Sequence, residues 1–351
     1  MGVYISANHE YLVYRGRYDD SDPKAPIFGF PYSGIAITFE GDQLRVHITN
    51  LHYEKDNYIG LILDGEQKKF RLENTEEEQI IVLAEGLDRK KHEAFVFKRT
   101  DFCHEMIIAG FDLGDHGKIM MPRKQPRRLI EFIGDGTTAG ECVESRKSSR
   151  EEISEEEAME TSNPYYSYAA IVGRMLHTRV NLIAQSGIGM KNGCGLFGAD
   201  EKIGMETLYE LASYDQKKNH GEKWNPEREI PHAIVVSLGE NDKYPINFMQ
   251  GSGTSEEVIH WKESFCKFLN HLRKLFPKTL IVVTTSVCIH SPKLDRIIGQ
   301  VCAEINDSSI IHFLYNENGR AGDGFVNIHQ SEEMALELCR VLKIAENQAW
   351  N

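Results

Sequence analysis

The sequence predicts a chain of two domains, in which a β-sandwich precedes an α/β domain built on a parallel sheet. Three observations predict this fold. A chain of 351 residues is long for one compact domain. Up to about residue 120, short apolar or alternating runs follow one another between turn residues. Beyond residue 128, wholly apolar runs alternate with helical patterns, which is typical of a sheet covered on both faces.

The first domain is predicted to span residues 1–123 and to be antiparallel. Its candidate strands recur at the spacing of a sandwich, and turn signals such as Asp64-Gly65 and Glu85-Gly86 separate them. Long helical patterns are absent from this part of the sequence. The candidate strands are Ile35–Phe39, Leu44–Ile48, Tyr58–Leu63, Ile80–Leu83 and Ala94–Phe97.

The second domain is predicted to span residues 128–346, after a boundary between Pro122 and Pro126. Strands that alternate with helices predict right-handed crossovers and a parallel sheet, with a site at the carboxyl ends of the strands. The five candidate strands are Leu129–Ile133, Val180–Ala184, Ala233–Ser237, Leu280–Thr285 and Ile310–Leu314.

Helical patterns lie between these strands. One is expected to start at Ser162-Asn163-Pro164, because Pro is favoured early in a helix, and others cover about 255–274, 294–305 and 331–345. Residues 144–162 are rich in Glu, Ser, Lys and Arg, which predicts a mobile, solvated loop. A lid over the first turn is the alternative interpretation of that segment.

Composition excludes several classes of function. The formal net charge of −13 provides no basic field for nucleic acid or anionic membranes. No apolar run is long enough for a transmembrane helix, and the N-terminus does not have the pattern of a signal peptide, which predicts a cytoplasmic protein. The seven cysteines are scattered without a CxxC pair, which predicts reduced thiols and no zinc site. We expect no metal and no cofactor.

The turns at the predicted carboxyl ends carry the candidate chemistry. The first, Gly134-Asp135-Gly136, connects a buried strand to a helix, and hydrolases often expose a nucleophile in such a turn. The residue at its apex, Gly136, has no side chain. The other turns are Ser186-Gly187-Ile188-Gly189, Gly239-Glu240-Asn241-Asp242 and the late segment Asp323-Gly324-Phe325-Val326.

This set of turns resembles the SGNH hydrolases. The early segment Gly16–Pro26 and the junction Ile130–Asp135 narrow the resemblance to the family-2 carbohydrate esterases, which are acetyl-xylan esterase-like deacetylases. The resemblance covers nearly the whole chain. It implies a jelly-roll sandwich followed by a flavodoxin-like domain with a five-stranded parallel sheet. It also implies O-acetylated sugars or polysaccharides as ligands, and family members are often extracellular.

The resemblance also implies a role for each position. Gly136 matches the nucleophilic Ser, while Gly187 and Asn241 match the two donors of the oxyanion hole. In the late segment Asp323 matches the orienting acid, and Phe325 stands at the position of the catalytic His. Gly324 stands at the position of the neighbouring aromatic residue.

Three departures therefore fall on the chemistry itself. Acyl transfer by this route needs a hydroxyl that an adjacent base makes nucleophilic, and losing either member costs on the order of 10⁶ in kcat. The oxyanion hole and substrate binding alone leave about 10³ over water. Two functions remain open: an impaired esterase of O-acetylated saccharides, and a non-catalytic protein that binds a carbohydrate or acylated ligand in the old cleft.

Several residues could replace the absent groups. His329 could supply a base if the late segment contains a local gap; otherwise it lies at the surface on the last helix. Thr137 or Thr138 could offer a hydroxyl, but one of them is expected to cap the helix instead.

Another hypothesis concerns a cluster of carboxylates. Asp135, Asp242 and Asp323 could act together in glycoside hydrolysis or hold a hard cation. The alternative for Asp135 is a structural role, in which it accepts hydrogen bonds from nearby backbone N–H groups. Five aromatic residues could stack on sugars, although packing is the alternative for each of them: Tyr165, Tyr166, Trp224, Tyr244 and Trp261. His290 is expected to be an ordinary loop residue.

Overall fold

The N-terminal part of the chain is built from eleven strands and no α-helix within the described residues. The computed structural model describes residues 2–51, 56–101, 104–147, 149–197, 203–215, 221–250, 255–322 and 324–349. The strands are β1 (Tyr4–Ser6), β2 (Val13–Arg15), β3 (Ile27–Phe28), β4 (Gly34–Glu40), β5 (Gln43–Asn50), β6 (Tyr58–Leu63), β7 (Glu66–Arg71), β8 (Gln79–Glu85), β9 (Lys91–Lys98), β10 (Met106–Asp112) and β11 (Lys118–Ile119).

These strands form two antiparallel sheets, as the sequence predicts. One sheet has the order β1-β10-β5-β8 with β3 beside β10, and the other has the order β11-β4-β9-β6-β7 with β2 beside β4. Strand β5 alternates strictly between buried and half-buried residues, so that Leu44, Val46 and Ile48 face the shared core. Every candidate strand of this domain is confirmed. Strand β7 escapes prediction because its sequence, Glu-Gln-Lys-Lys-Phe-Arg, is polar and mostly exposed.

The second part of the chain is an α/β unit around a parallel sheet. Its strand order is β13-β12-β14-β15-β16, and every pairing is parallel. All five predicted strands are confirmed, with ends that shift by no more than two residues. The strands are β12 (Leu129–Gly134), β13 (Arg179–Ala184), β14 (Ala233–Ser237), β15 (Leu280–Thr284) and β16 (Ile310–His312).

Helices cover both faces of this sheet, and each face has its own apolar core. The three late helical patterns are confirmed as α5, α6 and α7. In the described ranges no helix combines the length and apolar composition that crossing a bilayer requires. The helices are α1 (Gly136–Ala139), α2 (Glu155–Thr161), α3 (Tyr168–Leu176), α4 (Met205–Leu208), α5 (Glu256–Leu275), α6 (Pro292–Ile305) and α7 (Ile328–Ala349).

Two expectations about the region between β12 and β13 are wrong. Helix α3 does not start at Ser162-Asn163-Pro164; Asn163 and Pro164 begin a 3-10 turn, and Ser167 caps α3 through a hydrogen bond from the Ala170 N–H. The segment 144–162 is not an irregular loop, because it contains a 3-10 turn at Arg150–Glu152 and helix α2. Serine side chains cap the starts of both elements, and acidic residues occupy their first turns, where the helix dipole favours negative charge.

The strand order places a ligand site at one edge of the sheet. Strand β12 lies in the interior, with β13 on one side and β14 on the other, so that the connection leaving β12 runs to one side and the connection leaving β14 runs to the other. In open α/β sheets, ligands bind in the crevice at the carboxyl ends where the order reverses. The turn at Gly136 follows β12, and the turn at Asn241 follows β14, so both border this crevice.

Side chains of the sandwich hold two segments of the α/β domain. The buried Arg99 donates to the carboxylate of Glu144 (2.5 Å) and to the backbone carbonyl oxygens of Glu160 (3.3 Å) and Ser162 (3.2 Å). The carboxylate of Asp101 accepts from the backbone N–H of Ser186 at 3.1 Å. Both segments lead to the crevice, so the sandwich helps to position its walls.

Candidate functional site

The turn after β12 is organised by Asp135. This residue is the N-cap of α1, and its Oδ1 accepts from the Thr137 N–H at 3.0 Å. Its Oδ2 accepts from the side-chain amide of Asn241 at 3.0 Å. Asp135 therefore has the structural role that the alternative interpretation gives it. The expectation that a threonine caps the helix is wrong, because Asp135 is the cap. The Thr138 hydroxyl is buried and lies 2.9 Å from the hydroxyl of Tyr168, so it does not replace the missing nucleophile.

The environment of Asp135 disfavours its ionised form. Burial raises the pKa of Asp135 to about 7, and the negative charges of Glu240 and Glu141 act in the same direction. The Thr137 N–H and the Arg150 guanidinium oppose this shift without cancelling it. The carboxyl group of Asp135 therefore holds its proton more tightly than an exposed aspartate does.

The space beside Gly136 is occupied by another residue of the chain. A Cβ atom added to Gly136 would lie 2.0 Å from Oε2 of Glu141 and 3.2 Å from the Glu141 Cβ. The reason is local: Gly140, at φ 75°, ends α1 after one turn, and the Glu141 N–H donates to the Gly136 carbonyl at 2.8 Å. The carboxylate of Glu141 therefore fills the position at which a side chain on residue 136 would begin.

A cation and an aromatic ring complete this arrangement. Nη2 of Arg150 lies 3.5 Å from Oε2 of Glu141. The Arg150 Cζ lies 4.5 Å from the ring centroid of Phe325, within the range of a cation–π interaction. Glu141 and Arg150 could not be predicted from the sequence, because both lie in segments without a motif. Phe325 gives the guanidinium an apolar face that a histidine would share less readily.

Hydrogen bonds fix the conformation of the two neighbouring turns, at Gly187 and at Asn241. Gly187 adopts φ 72°, which favours glycine, and its carbonyl accepts from the Leu196 N–H at 2.7 Å. Asn241 begins a 3-10 turn and is nearly buried, with one amide hydrogen directed to Asp135. The Asn241 amide is therefore fixed beside Gly136.

Asp242 does not join Asp135 in the carboxylate cluster that the sequence suggested, because both of its oxygens are bonded elsewhere. Its oxygens accept from the backbone N–H groups of Met190 (2.7 Å) and Lys191 (3.2 Å) and from Nε1 of Trp261 (2.9 Å). These bonds explain why a fully buried carboxylate is tolerated. Trp261 is itself fully buried in the core, so the hypothesis that it stacks on a sugar is wrong. Within the described ranges, no three His, Cys, Asp or Glu residues form a group that could hold a metal ion.

The late segment is described in part. Asp323 lies outside the described residues. His329 lies on the first turn of α7 with 77% of its side chain exposed, and its Nε2 is 3.5 Å from the Glu333 carboxylate. This is the surface position that the alternative interpretation assigns to it, and the contact with Glu333 gives His329 a partner on its own helix.

Two further acidic residues, Glu240 and Asp295, each contact a polar neighbour after the strands β14 and β15. Glu240 accepts from the backbone N–H of Ser286 (2.5 Å) and from its hydroxyl (2.8 Å). His290 lies in a loop as expected, but its side chain is buried and its Nε2 contacts Asp295 at 3.0 Å. Burial lowers the pKa of His290, but the hydrogen bond to Asp295 and the charge of Glu240 outweigh it, so the pKa is raised. No sequence motif predicts the contact between His290 and Asp295; the sequence shows only that both residues follow a strand.

The sandwich is the part of the chain that matches a known family. Residues 14–122 match the family model described as the N-terminal domain of carbohydrate esterase 2. This chain resembles the family-2 carbohydrate esterases. The resemblance that the turns imply is thereby confirmed, and so is the combination of an antiparallel sandwich with an SGNH-like sheet.

Known esterases match most of the length of this chain. The cellulase/esterase CelE of Acetivibrio thermocellus is 28% identical over 84% of this chain, which spans about a third (33%) of that protein's length. A family-two carbohydrate esterase from Clostridium thermocellum in complex with cellohexaose shares 25% identity and a TM-score of 0.81, over 97% of this chain and 100% of that one. An acetyl xylan esterase from Butyrivibrio proteoclasticus shares the fold at 17% identity and a TM-score of 0.79, over 99% of each chain.

Proposed function

We propose that this protein binds an oligosaccharide in the cleft beside Gly136 and does not hydrolyse esters by a Ser–His mechanism. The observation that carries the proposal is Gly136 itself, which offers no hydroxyl at the turn after β12; the flexible end of the Glu141 side chain lies 2.0 Å from where a side chain on residue 136 would begin. The inherited mechanism needs a hydroxyl at that point and a base beside it. Gly136 and Phe325 provide neither, and Glu141 and Arg150 occupy the space.

The class of ligand is supported by the resemblance and by the groups at the cleft. A related family-two esterase is described in complex with cellohexaose. The cleft of this chain offers carboxylate acceptors at Glu141 and Glu240 and a guanidinium at Arg150, and sugar hydroxyl groups can both donate to and accept from such groups. An O-acetylated saccharide is the ligand that the ancestral reaction implies. A retained acetyl esterase activity is the second candidate function, and Asn241 is the residue that favours it, because its amide is held beside Gly136.

An activity assay tests the catalytic part of the proposal. Pure protein is expected to cleave 4-nitrophenyl acetate and acetylated xylan at the background rate, and Asn241→Ala is expected to leave that rate unchanged. The physical reason is that an oxyanion-type donor contributes only when a nucleophile attacks beside it. Turnover at ordinary esterase rates that Asn241→Ala lowers by about 100-fold or more would establish the second candidate instead.

A binding assay tests the other part independently. Calorimetry with cellohexaose and with acetylated and plain xylo-oligosaccharides is expected to show saturable heat. Glu141→Gln removes the negative charge but keeps the shape, and a change in affinity of about fivefold or more is expected for a ligand that contacts this group. The matched control is Glu85→Gln, because Glu85 is an exposed residue of the sandwich. Absence of saturable heat with every saccharide contradicts the binding proposal.

The stability of the protein should report the raised pKa of Asp135. Between its ordinary value of about 4 and its folded value of about 7, the folded state keeps a proton that the unfolded state releases. Raising the pH through this window therefore favours unfolding. The stability of Asp135→Asn relative to the wild type is therefore expected to rise by up to about 4 kcal/mol between pH 4 and pH 8. This rise is superimposed on a loss that does not depend on pH, because asparagine has one acceptor oxygen for the two donors, the Thr137 N–H and the Asn241 amide.

Urea unfolding at a series of pH values measures this difference. Glu105, whose pKa burial also raises to about 7, is common to both proteins, so the comparison isolates Asp135. Parallel stability curves for the two proteins between pH 4 and 8 would show that the pKa of Asp135 is not raised.

A further inference from the structure

A cavity of about 550 Å³ lies between the two domains, at the opposite end of the parallel sheet from Gly136. Its wall includes Arg179, at the amino end of β13, whereas Ala184 at the carboxyl end pairs with Gly134. A strand rises about 3.3 Å per residue, which places the two ends about 17 Å apart. The volume is in the range of small-molecule sites in proteins. The cavity is therefore separate from the cleft of the proposed function and does not depend on it.

The wall combines aromatic rings with an excess of positive charge. This contrasts with the net charge of −13 for the whole chain. Four guanidinium groups line the cavity against a single carboxylate, so the local charge has the opposite sign to that of the protein. The aromatic residues are Tyr14, Tyr18, Tyr32 and Trp224, and the charged ones are Arg15, Arg174, Arg179, Arg228 and Glu229.

Three of the four guanidinium groups are engaged by the protein itself. Arg179 forms an ion pair with Glu229. Arg228 forms an ion pair with Asp20 at 2.8 Å. Nη1 of Arg174 donates to a backbone carbonyl at 2.7 Å. These bonds fix the shape of the wall, and Arg15 is the fourth arginine that lines it.

Arg15 is the remaining cation. It ends β2 and is partly buried, with its Cζ 4.5 Å from the ring centroid of Phe95. Among the described residues, none lies within hydrogen-bond or ion-pair distance of its guanidinium nitrogens. Burial lowers the pKa of Arg15, and the facing groups Tyr32 and Glu93 oppose that shift. Arg15 lines both this cavity and the adjoining groove that contains Phe95 and Glu93, and a desolvated guanidinium at such a border is suited to an anionic ligand.

We propose that this cavity binds a saccharide that carries a carboxylate, with the carboxylate paired to Arg15. The planar guanidinium presents parallel N–H groups that match the two oxygens of a carboxylate. Tyrosine and tryptophan rings offer apolar surface with a polar end, which suits the two kinds of surface of a pyranose ring. Gln125, Thr178 and Asn181 also line the cavity and provide partners for hydroxyl groups.

Titration with glucuronic acid and digalacturonic acid tests the proposal. Trp224 lies in the wall of the cavity, so tryptophan fluorescence and calorimetry are both suitable measurements. Saturable binding is expected for the acids. Glucose and cellobiose, which are neutral sugars of matching size, are expected to bind at least about tenfold more weakly, the equivalent of one charge-assisted hydrogen bond. Equal binding of the neutral sugars, or no saturable binding of either acid, overturns the proposal.

Variants assign the binding to Arg15. Arg15→Gln is expected to lower the affinity for glucuronic acid at least about tenfold, and Arg15→Lys is expected to lower it less. The exposed control Arg89→Gln is expected to leave the affinity unchanged. Unchanged affinity in Arg15→Gln overturns the assignment, and so does inorganic phosphate binding as tightly as glucuronic acid. If Arg15→Gln does not fold, the wild type decides: the affinity for glucuronic acid should fall between about 20 and about 500 mM NaCl, and an affinity independent of salt overturns the proposal.

Discussion

The double variant Gly136→Ser, Phe325→His is expected to remain at background hydrolysis, and the further change Glu141→Ala is expected to raise kcat/KM by about 100-fold over the double variant. A serine at position 136 places its Cβ 2.0 Å from the Glu141 carboxylate, so the new side chain must displace that group or be displaced by it. A complete nucleophile and base are worth on the order of 10⁶ in kcat, and a partly reconstituted pair should recover a fraction of this.

The arrangement around Arg150 adds to this expectation. In the double variant Arg150 loses the Phe325 ring but keeps its ion partner Glu141, so it continues to hold the carboxylate over residue 136. In the triple variant both contacts are absent, and the arginine is free to turn to solvent. Hydrolysis of 4-nitrophenyl acetate by the parent, the double and the triple variants gives the comparison. Glu141→Ala alone is the control, and it should remain at background because no nucleophile is present.

The results separate two explanations of the substituted positions. If the double variant is already as active as the triple variant, Glu141 does not obstruct the site and the position of its carboxylate has no bearing on catalysis. An acyl-enzyme on the introduced serine, detected by mass spectrometry in the triple variant only, would show directly that the carboxylate excludes the nucleophile.

Arg17→Ala is expected to lower the free energy of unfolding by about 3–5 kcal/mol, which is the cost of leaving a buried charge without its partner. The Arg17 side chain is fully buried, and its Nη2 lies 3.5 Å from Oε2 of the similarly buried Glu131 on β12. Its Nη1 also donates to the backbone carbonyl oxygens of Tyr209 and of Leu211 (3.2 Å). The guanidinium lies over the ring of Trp224 as well, so truncation removes packing as well as charge.

Chemical denaturation of Arg17→Ala, Glu131→Gln and the double variant measures this coupling. The double variant should lose less than the sum of the two single variants, because Glu131→Gln removes the charge that Arg17→Ala leaves unpaired. The exposed Arg89, which lies 3.3 Å from Asp42, provides the control, and Arg89→Ala should change stability by less than about 1 kcal/mol. Additive losses at Arg17 and Glu131 would show that the ion pair contributes little.

The fold could be predicted from the sequence because its signals are local. The strands of the parallel sheet are mostly apolar, and α5 has the periodicity of a helix with one buried face. Elements without such a signal were not predicted. Strand β7 is polar and exposed at a sheet edge, and α2 is held by a serine cap and by Arg99 from the other domain rather than by an apolar face.

The site could be predicted only where a motif follows a strand. Asp135, Gly136 and Asn241 come together because the parallel register and the strand order bring their turns to one edge. Glu141 and Arg150 could not be found in this way. Their positions depend on the left-handed conformation of Gly140 and on a 3-10 turn within a charged segment, and neither leaves a pattern that spacing reveals.

The contacts of Arg99 and Asp101 have a consequence for engineering. Arg99 binds both ends of the segment that carries Arg150, and Asp101 binds the backbone beside Gly187. The sandwich thus helps to position two walls of the cleft, although none of the positions matched to the nucleophile, the base or the oxyanion hole lies in it. A chimera that joins this α/β domain to a relative's sandwich must keep both side chains, since the geometry of the cleft depends on a domain that carries no catalytic position.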